Sequence, residues 1–248
     1  MIILSVLFFI TAILYSSVGF GGGSTYLALL LIWDIPYYIF PVIALLCNII
    51  VVTSSSFNYI RAGNHNFKLL MPFLLGSVPL AFIGGTLIVE KKIFEILLFL
   101  VLAISGLLLL KNNKSYGEKN IKIKKLSQLI SIFIGSILGL VSGIVGIGGG
   151  IFLSPILFLL KADKPKIIAT TASLFILINS ISGILGQLTK KVILNEIINY
   201  WALFLTVLIG GFIGNYLNLK IFSNRILAII TSLLVVFVAI RMGYRIFI

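Results

Sequence analysis

The chain has 248 residues, 60% of them apolar and 10% charged, with a mean hydropathy of +1.22. A soluble domain is usually about a quarter charged, so this composition excludes a fold that presents its whole surface to water. The net charge of +13 sits on lysines and arginines at the ends of apolar runs; it forms no basic face for nucleic acid and follows the positive-inside pattern of bilayer proteins.

In chain order, the first apolar run covers residues 2–33. The cluster V-G-F-G-G-G at 18–23 interrupts it, and Asp34-Ile35-Pro36 closes it. No Lys or Arg precedes the run, unlike a secretory leader, and a matching run recurs inside the chain, so it is expected to belong to the fold. Runs 38–60, 69–89 and 93–110 follow. Residues 111–125, with six lysines and one glutamate, separate them from runs 126–160, 167–188, 197–219 and 226–246. At about 1.5 Å rise per residue, each ordinary run can cross a hydrocarbon core of about 30 Å.

The first run of each set is too long for one crossing and carries a glycine cluster near its middle. V-G-F-G-G-G at 18–23 and V-G-I-G-G-G at 145–150 agree at five of six positions, 127 residues apart. Phe82-Ile83-Gly84 and Phe212-Ile213-Gly214 agree 130 residues apart. With 23 glycines in the chain, this coincidence marks an internal duplication. The expected fold is an all-α integral membrane protein of about eight hydrophobic segments in two homologous four-segment repeats, 1–110 and 126–248, joined by a basic cytoplasmic connector, 111–125. The first segment of each repeat is broken or re-entrant at its glycine motif.

Four glycines in five residues are costly inside a continuous helix, about 1 kcal/mol each against alanine. They could simply let helices approach closely. The functional reading is a broken helix, tolerated at membrane depth only where it is buried in protein or lines a watery cavity. A helix restarting after the break aims free N–H groups and its positive dipole end at the gap, which makes an anion site. Paired breaks at equivalent places in two repeats point to the substrate site of a transporter.

The candidate binding residues are therefore Gly19, Gly21, Gly22, Gly23, Ser24 and Thr25 in the first half, and Gly146, Gly148, Gly149, Gly150 and Ser154 in the second. Asn48 and Asn179, polar positions in the second run of each half, join them. The other hydroxyls and amides of those two runs are expected mostly to bond between helices or to the carbonyl one turn earlier.

Other chemistries lack their residues. Ser24 and Ile151 stand where a dinucleotide fingerprint needs glycine. His65 and Cys47 are single, so no metal site, cofactor or Cys/His pair is expected, and no enzyme. Every acidic residue lies at or near a run end, which leaves a neutral pathway of N–H and hydroxyl donors suited to a small anion.

Charge alone leaves two threadings open. With eight crossings the 19 basic residues divide 12 to 7; with both long runs re-entrant they divide 13 to 6. Both place the two termini on one side and the connector inside.

The duplicated clusters at 19–23 and 146–150, Pro155 after the second, the glycine-rich stretch 76–85 and the basic central loop together resemble the sulfite exporter TauE/SafE family of membrane permeases, across essentially the whole chain. The first half departs from this pattern with Ala28 at the position matching Pro155. The resemblance implies a multi-pass cell-membrane permease for a small sulfur oxyanion or organosulfonate, such as sulfite, thiosulfate or sulfoacetate, working by alternating access. Its expected partners are that anion, the lipid bilayer, a coupling ion and other copies of itself. An anion channel and a non-transporting scaffold or assembly subunit are the alternatives.

Overall fold

Each glycine cluster ends one helix and lets another begin. In the computed structural model, which describes residues 1–17, 19–33, 35–111, 124, 126–190, 194–218 and isolated positions 233, 236, 239, 240, 243 and 244, α1 (Ile2–Ser16) stops before the first cluster and α2 (Gly23–Ile32) starts at its last glycine. In the second half α6 (Gln128–Val145) stops and α7 (Gly150–Leu159) starts in the same way. Gly22 and Gly149 cap the new helices with φ of +86° and +75°, and Gly146 closes α6 with φ of +89°. A side chain is disfavoured in that left-handed region, which is why glycine occupies it.

The remaining elements are α3 (Phe40–Arg61), α4 (Phe67–Thr86), α5 (Lys91–Lys111), α8 (Pro165–Gln187), the single turn α9 (Leu194–Ile197) and α10 (Trp201–Asn218). No strand occurs among the described residues. Proline opens α3 and α8, where its missing N–H costs nothing. The Asn66 side chain caps α4 by accepting from the Leu69 N–H at 3.2 Å. Among the described residues, five helices are long and apolar enough to cross a bilayer: Tyr37–Arg61, Phe67–Thr86, Gln128–Val145, Lys166–Gln187 and Ile198–Leu217. The expected connector, apart from Lys111 and Lys124, and the last apolar run, apart from the isolated positions, lie outside the described residues.

The packing is reciprocal between the halves. Helix α1 packs on α10 and α6 on α4; α3 packs on α10 and α8 on α4; α2 lies against α3 and α7 against α8. Glycines set these contacts at backbone distance. Gly135, Gly139 and Gly143, one turn apart on α6, face the carbonyls of Phe73, Ser77 and Ala81 on α4. Gly210 and Gly214 of α10 face the carbonyls of Phe9 and Ile13 on α1. These are small-xxx-small seams, in which the absence of a side chain lets two backbones meet.

The same contacts give helix directions. Residue numbers rise together across α4 and α6, across α1 and α10, across α4 and α8 (Val78 with Ser182, Phe82 with Gly186), and across α3 and α10 (Val51 with Gly211, Ser54 with Asn215). They run oppositely across α3 and α8, where Leu45 meets Gly183 and Ser56 meets Ser173. So α1, α3 and α10 point one way, and α4, α6 and α8 the other.

Hydrogen bonds tie both ends of this bundle. At one end Asn66 Nδ2 donates to Asp163 Oδ2 at 2.7 Å, and the Lys124 N–H donates to the Lys161 carbonyl at 3.0 Å. At the other, Lys190 Nζ donates to the Leu87 carbonyl at 2.6 Å, and Tyr38 to the Glu196 carboxylate at 2.8 Å.

The α4–α6 seam predicts a sharp contrast between glycines. Gly139→Leu should lower the thermal unfolding midpoint of detergent-solubilised protein by an overpacking cost of about 1–3 kcal/mol or more. Gly211→Ala, whose methyl would sit 3.6 Å from its nearest neighbour, should cost under about 0.5 kcal/mol. Equal effects would refute the seam.

Candidate functional site

The two breaks meet at one side chain. Asn48 is fully buried at the middle of α3, and its Nδ2 donates to the Ile147 carbonyl in the second break at 3.1 Å. Gly21 and Gly23 of the first break press on the same amide. A methyl on Gly23 would lie 2.8 Å from Asn48 Nδ2 and 2.8 Å from the Ile147 oxygen; one on Gly148 would lie 2.9 Å from Asn48 Nδ2 and 3.0 Å from Ser180 Oγ. Asn48 is therefore sandwiched between glycine backbones from two halves of the chain.

The other break glycines seat each loop on the neighbouring helix. Gly19 faces the Tyr59 ring, Gly146 the Pro41 backbone, Gly149 the Phe175 ring and Gly150 the Ile176 side chain. Gly22 lies against Tyr26 and Thr11. The first break thus extends from the level of Asn48 towards Tyr59 near one end of α3. The second extends from Asn48 to Pro41 at the other end.

Several polar groups around this crossing have no protein partner. Among the described residues, the N–H groups of Gly21, Gly22, Gly23 and Ser24, and of 147–151, donate to no acceptor. Asn48 Oδ1, Ser180 Oγ, Ser154 Oγ and Asn179 Oδ1 are buried and unpartnered. Asn48 also retains a second amide hydrogen, since only one bond from Nδ2 is formed. An unsatisfied buried polar group costs about 1–3 kcal/mol, so a cluster of them calls for a ligand or water. The N-termini of α2 and α7 both start here, each bringing a partial positive charge of about half an electron. No group of His, Cys, Asp or Glu able to hold a metal occurs among the described residues.

The remaining predicted residues take separate places. The Ser24 and Thr25 hydroxyls face Tyr15 of α1, at 3.5 and 2.7 Å from its oxygen. Asn179 Nδ2 donates back to the Phe175 carbonyl at 2.8 Å, and Phe175 is the ring beneath Gly149. As expected, most other polar groups of α3 and α8 bond one turn back or across helices: Thr170 to the Lys166 carbonyl, Thr171 to that of Ile167, Ser56 to Ser173, and Gln187 Nε2 to the Gly143 carbonyl. Ser180 belongs to the crossing and was not singled out from its neighbours in the sequence. Its spacing of four from Ile176, which faces Gly148 and Gly150, is the signal that places it on the same helix face.

A family model described as Sulfite exporter TauE/SafE matches residues 4–242. The chain is similar to probable membrane transporter protein y4hK of Sinorhizobium fredii, at 26% identity over 93% of each chain. It is also similar to probable membrane transporter protein YunE of Bacillus subtilis, at 24% identity over 94% of each chain. A third relative is probable membrane transporter protein MJ0441 of Methanocaldococcus jannaschii, 29% identical over 74% of this chain and 70% of the relative. No solved structure matches.

The crossing predicts that Asn48→Ala lowers stability by about 1–3 kcal/mol, through the orphaned Ile147 carbonyl and a cavity. Thr53→Ala, at an exposed hydroxyl bonded one turn back, should cost under about 0.5 kcal/mol. Thermal unfolding in detergent measures both; equal midpoints would contradict the role given to Asn48.

Proposed function

The chain belongs to the sulfite exporter TauE/SafE family of multi-pass membrane transporters, and on that premise we propose that it carries a small sulfur oxyanion or organosulfonate through the crossing of its two glycine breaks. The observation that carries this reading is the convergence of free N–H groups, two helix N-termini and the spare Asn48 amide hydrogen at one buried, uncharged point. Such donors hold an anion without a fixed counter-charge, and a site without a permanent cation can release what it binds. Gly19, Gly21, Gly22, Gly23, Gly146, Gly148, Gly149 and Gly150 supply backbone and clearance; Asn48 supplies the side-chain donor. Ser154 and Asn179 stand beside the second break. Asn48 Oδ1, an acceptor, offers a place to water or to a coupling cation.

The proposed architecture is an inverted pair of repeats, 1–110 and 126–248, each opening on a re-entrant hairpin. Helices α6 and α8 run the same way, so a chain leaving α6 must return before α8 begins, and α7 lies in that stretch. The same holds for α1, α2 and α3. The contacts of Asp163 with Asn66 and of Lys161 with Lys124 support the threading that groups 13 of the 19 basic residues on one side, the cytoplasmic one by the positive-inside rule. Both termini then face outward. Two hairpins inserted from opposite faces and touching at Asn48 suit alternating access: whichever tip loosens opens the site to its own side.

Two experiments bear on this. In the transport test, sulfite, thiosulfate and methanesulfonate are screened with purified protein. A bound anion at a hundred times its Kd stabilises by about 2.7 kcal/mol, a clear rise in melting temperature that Asn48→Ala should abolish; the anion should also move across proteoliposomes. No protection and no flux with any oxyanion would end the anion reading. In the threading test, cysteines replace Gly63 and Lys164 one at a time in a Cys47→Ser chain. Membrane-impermeant maleimide should reach both from the cytoplasmic side only; labelling from opposite sides would restore eight crossings.

A further inference from the structure

A second feature near the outer end of the proposed pathway has the makings of a substrate site. A cavity of about 220 Å³ lies where α4 and α8 end and α3 begins. Its walls are Tyr37, Tyr38, Pro41, Ile88, Phe94 and Ile144, and its one charged lining group is the Lys190 ammonium. Two of those walls border the second break: Pro41 is the residue against which Gly146 packs, and Ile144 precedes the break by two residues. The cavity therefore abuts the tip of the second hairpin on the Lys190 side.

Lys190 is held in place without being neutralised. Its Nζ donates to the Leu87 carbonyl at 2.6 Å and to Gln187 Oε1 at 3.0 Å, both uncharged acceptors. Gln187 in turn donates to the Gly143 carbonyl at 2.9 Å, one turn before Gly146. An ammonium has three donors, so one remains. Three described carboxylates lie at this end: Glu196 accepts from the Tyr38 hydroxyl through both oxygens, and Glu90 and Glu95 flank the lining residues Val89 and Phe94, but Lys190 bonds to none of them. Half-burial pushes the Lys190 pKa below that of a free lysine, which is the direction for a cation partly stripped of water and lacking a carboxylate. Lys91 lines the neighbouring cavity that shares Tyr37 and Tyr38, adding positive potential.

Resting on the transporter reading above, we propose that this cavity is the outer docking site of the substrate, and that it selects organic monoanions with a short apolar body, such as alkylsulfonates, over inorganic sulfite. The sulfonate takes the third donor of Lys190, and the alkyl group lies against Ile88, Phe94 and the tyrosine rings. Sulfite is all polar surface and leaves these walls facing nothing favourable. From this position the anion stands against the Gly146 turn, and the Gln187–Gly143 bond links its cation to the helix that bears the hairpin tip.

The test uses full-length protein in oriented proteoliposomes, with methanesulfonate and sulfite offered from the Lys190 side. Wild type should take methanesulfonate with a half-saturation several-fold below that for sulfite. Lys190→Gln keeps an N–H donor for the Leu87 carbonyl and removes the charge, so the methanesulfonate half-saturation should rise about tenfold while the maximal rate stays within about twofold; Lys190→Arg should restore it. An unchanged half-saturation in Lys190→Gln, or a fall in rate and melting temperature alone, overturns the docking site and leaves anion transport standing. Equal wild-type half-saturations overturn the selectivity. Wild-type protein that carries neither anion fails the transporter reading and this inference with it.

Discussion

The contact on which the rest of the structure depends is the Asn48 amide held between glycine backbones from both halves. Non-helical backbone inside a bilayer is tolerated only when protein or a watery cavity receives its polar groups. Both breaks close on one α3 side chain: Ile147 of the second accepts from Asn48, while Gly21 and Gly23 of the first cover the same side chain. A Cβ at Gly21, Gly23, Gly146, Gly148 or Gly150 would fall within 3 Å of a neighbouring atom. The glycines therefore act in packing and in conformation together, and the two explanations are not rivals.

Reciprocal packing follows from the same arrangement. The first helix of one half packs on the third long helix of the other, in both directions, so neither half encloses its own break. Close seams of glycine against carbonyl, on α4–α6 and on α1–α10, hold this frame around the crossing. The frame is built from backbone contact and van der Waals packing, as expected where lipid supplies no hydrophobic drive between helices. The crossing carries unpaired donors and acceptors within that frame.

Much of this was legible in the chain. Composition and run length required a helical membrane protein, and the helix breaks fall at the duplicated glycine clusters because glycine takes the left-handed caps at Gly22, Gly146 and Gly149 without the steric cost of a Cβ. Asn48 was visible as an amide in an apolar run, though its contact with residues a hundred positions away was not. Ser180 does not stand out from the many similar hydroxyls of α8 in the chain. The stripe Gly135-Gly139-Gly143 emerged only with its partner, the α4 carbonyls of Phe73, Ser77 and Ala81.

The sequence by itself determined the solvent, the helices, their two breaks and the absence of charge between their ends, because these follow from local propensity and transfer of side chains to lipid. It left the direction of the long first runs open, since 12 to 7 and 13 to 6 are nearly the same bias. Tertiary structure decided what lies against what: the common direction of α6 and α8, the meeting of 161–163 with Asn66 and Lys124, and the convergence of both breaks on Asn48. Those are contacts between residues far apart in the chain, fixed by which backbones can approach closely, and no local pattern encodes them.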